Sequence, residues 1–254
     1  MTESSRRLLW PSTMTAVMLL VLLGLGSWQV KRLFWKQALL AQIALAETAE
    51  PVPLAQIEAL GTGTGTLSPF MKISATGTFL PDETALYGAE VRDVASGANM
   101  GGPAMGAQLI EPMREVSGEL ILVDRGWVPL SRATPLDQPT GEVPGGVVTV
   151  SGYVRPGDTQ HWFSAADDPS ARRFFTLDPR AIGAAIGQPN IRNFVLVALA
   201  AGSGTGGIVQ HWPDPARHLP RPPNNHLSYA ITWYGLAVAL LAIFLIWARK
   251  GSRA

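Results

Sequence analysis

The sequence contains no cysteine, and that absence removes several chemistries at once. Thiolate copper chaperones, disulfide oxidoreductases, covalent c-type haem attachment and iron–sulfur centres all require the thiol. An exported domain must then be held by its apolar core alone, and a chain of 254 residues is long enough to build one. Charge is sparse and balanced: 20 Lys and Arg against 19 Asp and Glu leave a net +1, no electrostatic footprint for nucleic acid. Nucleophile and phosphate motifs are missing too. Ser203 lies in Gly202-Ser203-Gly204 and not in a G-x-S-x-G elbow. Gly61, Gly63 and Gly65 lack the lysine and following helix of a phosphate-binding loop. There is no internal repeat.

What the chain has in plenty is uninterrupted apolar length at both ends. Residues 228–247 run twenty positions without a charge, enough to cross a bilayer as a helix. Residues 14–30 form a second run of 17, with Trp10 and Trp28 as interface anchors. That run is longer than a signal-peptide core, and no small-x-small cleavage site follows it directly, so an uncleaved anchor is expected. About a dozen residues precede it, which leaves no room for an organelle presequence and points to a bacterial membrane. Two spans put both termini on one side. Arg249, Lys250 and Arg253, with Arg6 and Arg7, make that side cytoplasmic, while Lys31, Arg32 and Lys36 pull the other way. The expected layout is a cytoplasmic N-terminus at 1–13, a transmembrane helix at 14–30 and a helical stalk at 31–50. A periplasmic domain at 51–223, a second transmembrane helix with its outer collar at 224–247 and a cytoplasmic tail at 248–254 complete it. Such a tail holds no output domain, so a transmembrane sensor is not expected.

Residues 32–48 keep helical periodicity, and Pro51 and Pro53 end it. The Gly/Thr run 61–65 reads as a connector. Strands are predicted over 73–80, 85–91, 107–110, 119–128, 147–155 and 192–200, with Pro81-Asp82 as a turn and a glycine-rich loop at 97–106. Residues 129–146, 202–207 and 213–223 read as glycine- or proline-rich loops. Residues 179–186 form a short helix, opened by Asp178 as N-cap and closed by Gly187. Strands outnumber helices and few alternate as βαβ. The fold class is an α+β membrane protein, two transmembrane helices flanking a mostly antiparallel β outward-facing domain with a short helix.

Four histidines carry what ligand chemistry there is. His211 and His218 lie in a proline-rich run that cannot hold helical spacing, so exposed loop histidines are the commoner reading and a metal pair the alternative. His161-Trp162 falls in a loop. Asp167-Asp168 reads as a solvated turn. Asp124-Arg125 reads as a strand-end ion pair. His226 stands at the entrance to the second span, in Asn225-His226-Leu227-Ser228-Tyr229-Ala230-Ile231-Thr232-Trp233-Tyr234. At about 100° per residue, Ala230, Trp233 and Ala237 share its face, while Gly235, Ala239 and Ala242 lie opposite. The first face offers a ligand above small residues where a flat macrocycle could lie. The second is a small-residue stripe suited to packing on another helix, along Gly24 and Ser27. By residues alone, an interfacial histidine beside an aromatic belt is the commoner reading.

Several segments together resemble one family. Gly24-Leu25-Gly26-Ser27-Trp28-Gln29-Val30-Lys31-Arg32 with Trp35-Lys36 is similar to the "LGxWQ…R…WK" signature of the Surfeit locus protein 1 family. Val123-Asp124-Arg125-Gly126-Trp127-Val128-Pro129 resembles its central motif, Gly152-Tyr153-Val154-Arg155 its next strand, and residues 174–178 the following segment. Residues 225–234 are similar to its closing "NxHLxYAxTWF", with Tyr234 where phenylalanine is frequent. The resemblance runs the length of the chain, in order. It implies a non-enzymatic assembly factor for haem–copper cytochrome c oxidase that binds haem A and assists its insertion into the catalytic subunit. On that resemblance His226 is the axial ligand to the haem iron, with Tyr229, Ala230 and Trp233 beside the ring. The implied partners are the oxidase catalytic subunit, haem A synthase and the lipid bilayer. Asp124, Arg125 and Trp127 have a fold role or, alternatively, dock the oxidase subunit. The opposing reading is a scaffold that stabilises a nascent oxidase subunit without holding haem.

Overall fold

A computed structural model describes residues 3–59, 67–94, 102–130, 146–200 and 212–251. The sequence-predicted connector at 61–65 and loop at 202–207 lie outside the described residues, as do most of the 129–146 loop and His211. The chain divides into two compact units: one combines Met1–Ala44 with Pro220–Ala254, the other is Leu45–Leu219.

Helix α1 (Glu3–Thr48), all but its last four residues in the first unit, and helix α4 (His226–Gly251) are both long and apolar enough to cross a membrane. Helix α1 is continuous from span to stalk, and it begins before Pro11, earlier than the apolar run suggests. Proline forfeits one intrahelical hydrogen bond, and the helix passes it regardless. Both helices expose Leu, Val, Ile and Met over most of their circumference, including Val17, Leu20, Ile231, Val238 and Ile243. Apolar side chains turned outward over most of a helix suit a lipid-facing segment.

The second unit is one eight-stranded sheet. Its strands are β1 (Val52–Pro53), β2 (Lys72–Phe79), β3 (Ala85–Val94), β4 (Gly102–Glu115), β5 (Leu120–Pro129), β6 (Val148–Pro156), β7 (Arg173–Phe174) and β8 (Ile191–Ala198). The order is β1-β2-β6-β8-β5-β4-β3-β7. A further pairing of β2 with the end of β4 (Phe79 opposite Met113) closes β2, β6, β8, β5 and β4 into a ring. Most pairs are antiparallel; β1–β2, β3–β7 and β5–β8 are parallel. Two short helices complete the unit, α2 (Leu54–Ala59) and α3 (Pro179–Ala185). Asp178 caps α3 by accepting the Arg180 N–H at 2.9 Å, and Gly187 follows it in the left-handed region, φ 80°. Sequence periodicity predicts neither β1, β7 nor α2. Pro81–Glu83 forms a 3-10 turn.

Alternation along the strands builds two cores. Ile73, Ala75 and Phe79 of β2 join Ile121, Val123, Phe194 and Leu196 in the first. The intervening residues of β5 and β8, Leu120, Leu122, Ile191 and Val195, pack with Ile182 and Ile186 of the α3 segment in the second. Strands β5 and β8 are therefore apolar on both faces, which is why they read so clearly in sequence.

The largest departure is β4. Sequence reading gives a strand at 107–110 after a glycine-rich loop at 97–106, whereas the strand spans fourteen residues and absorbs Gly102–Gly106. Gly106 sits where a Cβ would overlap the indole of Trp127. The glycine makes room for a ring.

Candidate functional site

His226 is the first residue of α4, and its position is fixed by the seam between the two long helices. Leu22, Gly26 and Gln29 on α1 and His226, Ala230, Trp233, Ala237 and Leu240 on α4 are among the sheltered positions. They recur at alternating spacings of four and three, the repeat by which helices pack side by side. The helices run in opposite senses, since Gln29 meets His226 while Gly26 and Ser27 meet Tyr234. Gly26 lies under the Tyr234 ring, where a Cβ would come within 2.8 Å of it. The Tyr234 hydroxyl lies 3.1 Å from Ser27 Oγ, so the aromatic that departs from the resembled pattern uses its extra oxygen.

This packing inverts the sequence-predicted roles of the two faces of α4. Ala230 and Ala237 are 2% and 3% exposed, packed away on the seam. Gly235 has nothing within 4 Å of its Cβ position, and Ala239 and Ala242 are exposed. Gly24 of α1 likewise meets nothing, while Ser27 does make the expected contact. The His226 face closes the helix pair because it carries small residues at heptad spacing. A flat macrocycle cannot lie along Ala230 and Ala237 while that seam is closed.

What the seam does to His226 is chemical as well as steric. His226 Nδ1 lies 2.8 Å from Gln29 Oε1. An amide oxygen only accepts, so Nδ1 carries the proton and donates. In the neutral ring the lone pair is then on Nε2, which has no hydrogen bond among the described residues. An imidazole fixed in this tautomer by its other nitrogen is the usual state of a metal-ligating histidine. Around it, Tyr229 is 56% exposed, Leu227 is exposed, and Trp233 is half-buried. The residues thus fit a haem in one respect, one imidazole nitrogen without a hydrogen bond beside aromatic neighbours. Of the four residues expected around such a ring, His226, Ala230 and Trp233 share the seam face, and Tyr229 points outward. Gln29, which sequence reading did not single out, is the additional member. Its place in the Trp28-Gln29 pair was the available signal.

The central motif is a different kind of structure. Between β4 and β5 the register shifts so that Leu109 faces Gly126 and Ile110 faces Asp124, leaving Arg125 as a bulge. Gly126 takes φ 119°, and a Cβ there would overlap the Asp214 carbonyl. That close approach lets Trp127 and Asp214 exchange two backbone hydrogen bonds, both 2.9 Å. Asp124 is buried, and its Oδ1 accepts the Gly126 N–H at 3.0 Å. Burial pushes its carboxyl up to about 6, against the opposing pull of the Gly126 hydrogen bond and Arg155. The neighbouring Tyr153 hydroxyl is pushed up to about 12, again chiefly by burial. Arg125 Nη1 donates to Glu111 Oε2 at 2.7 Å, beneath a guanidinium that stacks 4.7 Å from the Phe79 ring centroid. Trp127 is 0% exposed, and its Nε1 donates to the Glu90 carbonyl at 3.1 Å. Asp124, Arg125 and Trp127 therefore spend their polar groups inside the sheet. Glu111 and Asp214, the partners that make the motif intelligible, lie elsewhere in sequence.

His161, His218, Asp167 and Asp168 are occupied locally. His161 stacks on Phe163 with centroids 5.6 Å apart, and His218 Nδ1 lies 3.0 Å from the Leu219 carbonyl. Asp167 Oδ1 accepts the N–H groups of Phe175 and Thr176, and Asp168 Oδ1 those of Ser170 and Ala171. Among the described residues no three His, Cys, Asp or Glu side chains group as a metal site.

Known proteins match this chain over most of its length. The sequence model of the SURF1 family matches residues 16–238. The chain is 32% identical over 237 residues to a SURF1-like protein of Monosiga brevicollis, covering 91% of this chain and 85% of that one. It is 29% identical over 231 residues to a SURF1-like protein of Rickettsia felis, covering 91% and 93%. It is also 29% identical over 228 residues to Surfeit locus protein 1 of Homo sapiens, covering 85% and 70%.

Proposed function

The chain belongs to the SURF1 family, and from that premise we propose that it is an assembly factor for haem–copper cytochrome c oxidase. In this reading it binds haem A and assists its insertion into the catalytic subunit, by binding and presentation and not by catalysis. Both long helices cross a bacterial cytoplasmic membrane, with the termini cytoplasmic and the sheet domain periplasmic. Support comes from the exposed apolar circumference of the helices and from the basic residues Arg249 and Lys250 ending α4.

The observation that carries the haem reading is the Gln29–His226 hydrogen bond, which leaves Nε2 available as one axial ligand. When bound, haem would supply the iron that this nitrogen coordinates. Tyr229 and the open edge of Trp233 would flank the ring, while Ala230 keeps the helices close enough for Gln29 to reach. Haem A synthase is a further neighbour from which the cargo would come.

The test is absorption spectroscopy of the full-length protein purified from a haem A-producing host. Wild type should carry substoichiometric haem, and His226→Ala should lose it. Identical spectra would sink the axial-ligand role. If His226→Ala also left oxidase assembly intact, the protein would be a scaffold for the nascent subunit that holds no haem.

A further inference from the structure

One cluster in the helix unit is used neither by the seam nor by the haem reading. Trp28, Lys31, Arg32 and Trp35 occupy positions i, i+3, i+4 and i+7 of α1 and so share one face. The Arg32 guanidinium lies 5.8 Å from the Trp28 ring centroid and 5.3 Å from that of Trp35. Two indoles thus hold the cation by their π faces. The four side chains line a concavity of about 290 Å³. Among the described residues no carboxylate pairs with Lys31 or Arg32.

We propose that this face is a binding site for the phosphate of an anionic phospholipid headgroup. The proposal rests on the membrane-spanning reading above. Three facts favour that occupant. Lys31 is the first charge after the apolar run 14–30, which sets the cluster at the depth where lipid phosphates lie. Trp28 and Trp35 are half-exposed, as indoles of an interfacial belt are. A guanidinium held by its faces keeps its N–H edge free, and that edge matches phosphate oxygens in a fork, with Lys31 beside it as a second point charge. The cations also oppose the positive-inside bias, since they lie on the outward side of the span. They therefore do not serve to orient the protein, and a bound anion gives them a use.

Full-length protein in mild detergent, supplied with phosphatidylglycerol or phosphatidylcholine, tests this by native mass spectrometry of retained lipid. Wild type should retain phosphatidylglycerol in preference to phosphatidylcholine. The double substitution Lys31→Gln with Arg32→Gln should cut that preference about tenfold or more. Equal retention of the two lipids by wild type, or an unchanged preference in the double variant, would overturn the site. Displacement of the lipid by millimolar inorganic phosphate would overturn the lipid assignment in favour of a general phosphate site. Carbonate extraction separates the two layers of inference. Wild type released from membranes refutes the spanning reading and the site with it, whereas wild type retained without lipid preference refutes the site alone.

Discussion

Replacing Arg125 by methionine keeps an aliphatic stem on Phe79 and removes only the charge that Glu111 faces. The Glu111 side chain is 0% exposed and Arg125 is 16% exposed, with 2.7 Å between Nη1 and Oε2. Glu111 Oε1 is already buried without a hydrogen bond among the described residues. Burial raises the Glu111 carboxyl above its ordinary 4.5, and Arg125 is what opposes that rise. Without the guanidinium the cheapest response is protonation. Starting from 4.5, taking up a proton at pH 7 costs about 3 kcal/mol, at about 1.36 kcal/mol per pH unit. That lies at the low end of the range for breaking a buried pair, about 3–5 kcal/mol. The sign follows from linkage: a raised folded-state pKa leaves stability intact at low pH and removes it as pH rises. At pH 5 the same substitution should therefore cost less than about 1 kcal/mol. For a unit of about 175 residues, 1 kcal/mol moves the melting temperature by about 2–4 °C. Arg125→Met should lower Tm by about 6–12 °C at pH 7 and far less at pH 5. The assay is thermal melting of the full chain in detergent, followed by loss of the β-sheet circular dichroism. Adding Glu111→Gln should recover most of the loss. A variant melting within about 3 °C of wild type at pH 7, or a deficit unchanged at pH 5, would refute the pair's structural role. It would return Arg125 to consideration as a contact for the oxidase subunit.

Asp124 gives a second pH-dependent outcome. Its carboxyl rises from 3.8 to about 6 on folding, so its contribution is present below pH 4 and is lost as pH passes 6, about 3 kcal/mol in all. Asp124→Asn keeps the acceptor for Gly126 and should flatten that pH profile; superimposable melting curves from pH 4 to 7.5 would refute it. Gly126→Ala must carry a methyl at φ 119° against the Asp214 carbonyl, and should cost at least about 1–3 kcal/mol of stability in denaturant unfolding. Gln29→Leu should leave the fold intact, since one hydrogen bond is worth about 1 kcal/mol, while weakening haem retention about tenfold or more through loss of the tautomer lock. Haem titration by absorbance distinguishes this from an unchanged affinity, which would remove Gln29 from the site.

Strands β5 and β8 were legible in sequence because each is apolar on both faces, and Ile73, Ala75 and Phe79 of β2 because they alternate with Ser74, Thr76 and Thr78. Strand β4 was not. Its first half carries Gly102 and Gly106, of which Gly106 makes room for the Trp127 ring, and its second half, Glu111-Pro112-Met113-Arg114-Glu115, looks polar. Glu111 is tolerated there only because Arg125, fourteen residues away, is thrown out by a bulge to meet it. Periodicity describes one strand at a time and is blind to such a cross-strand partner. The same limit explains the inverted faces of α4. The helical wheel grouped His226 with Ala230 and Ala237 correctly, but small residues occur on both faces. Only the matching repeat on α1, through Leu22, Gly26 and Gln29, decides which face packs.

That decision alters the geometry of the proposed cargo. With Ala230 and Ala237 closed against α1, the surfaces left around His226 are the outward ones, Tyr229 and Leu227 among them. A ligand held by Nε2 there would lie on the outside of the helix pair and not within it. Release to the oxidase catalytic subunit would then need the iron–nitrogen bond to exchange but no separation of the two helices. The consequence can be tested by locking the seam. Ser27 and Tyr234 already touch, so cysteines placed at those two positions and cross-linked by a short bifunctional reagent would hold the helices together. Haem binding and transfer should both persist in the cross-linked protein. Loss of transfer with binding intact would show that the helices must part, and the outward placement of the cargo would fail.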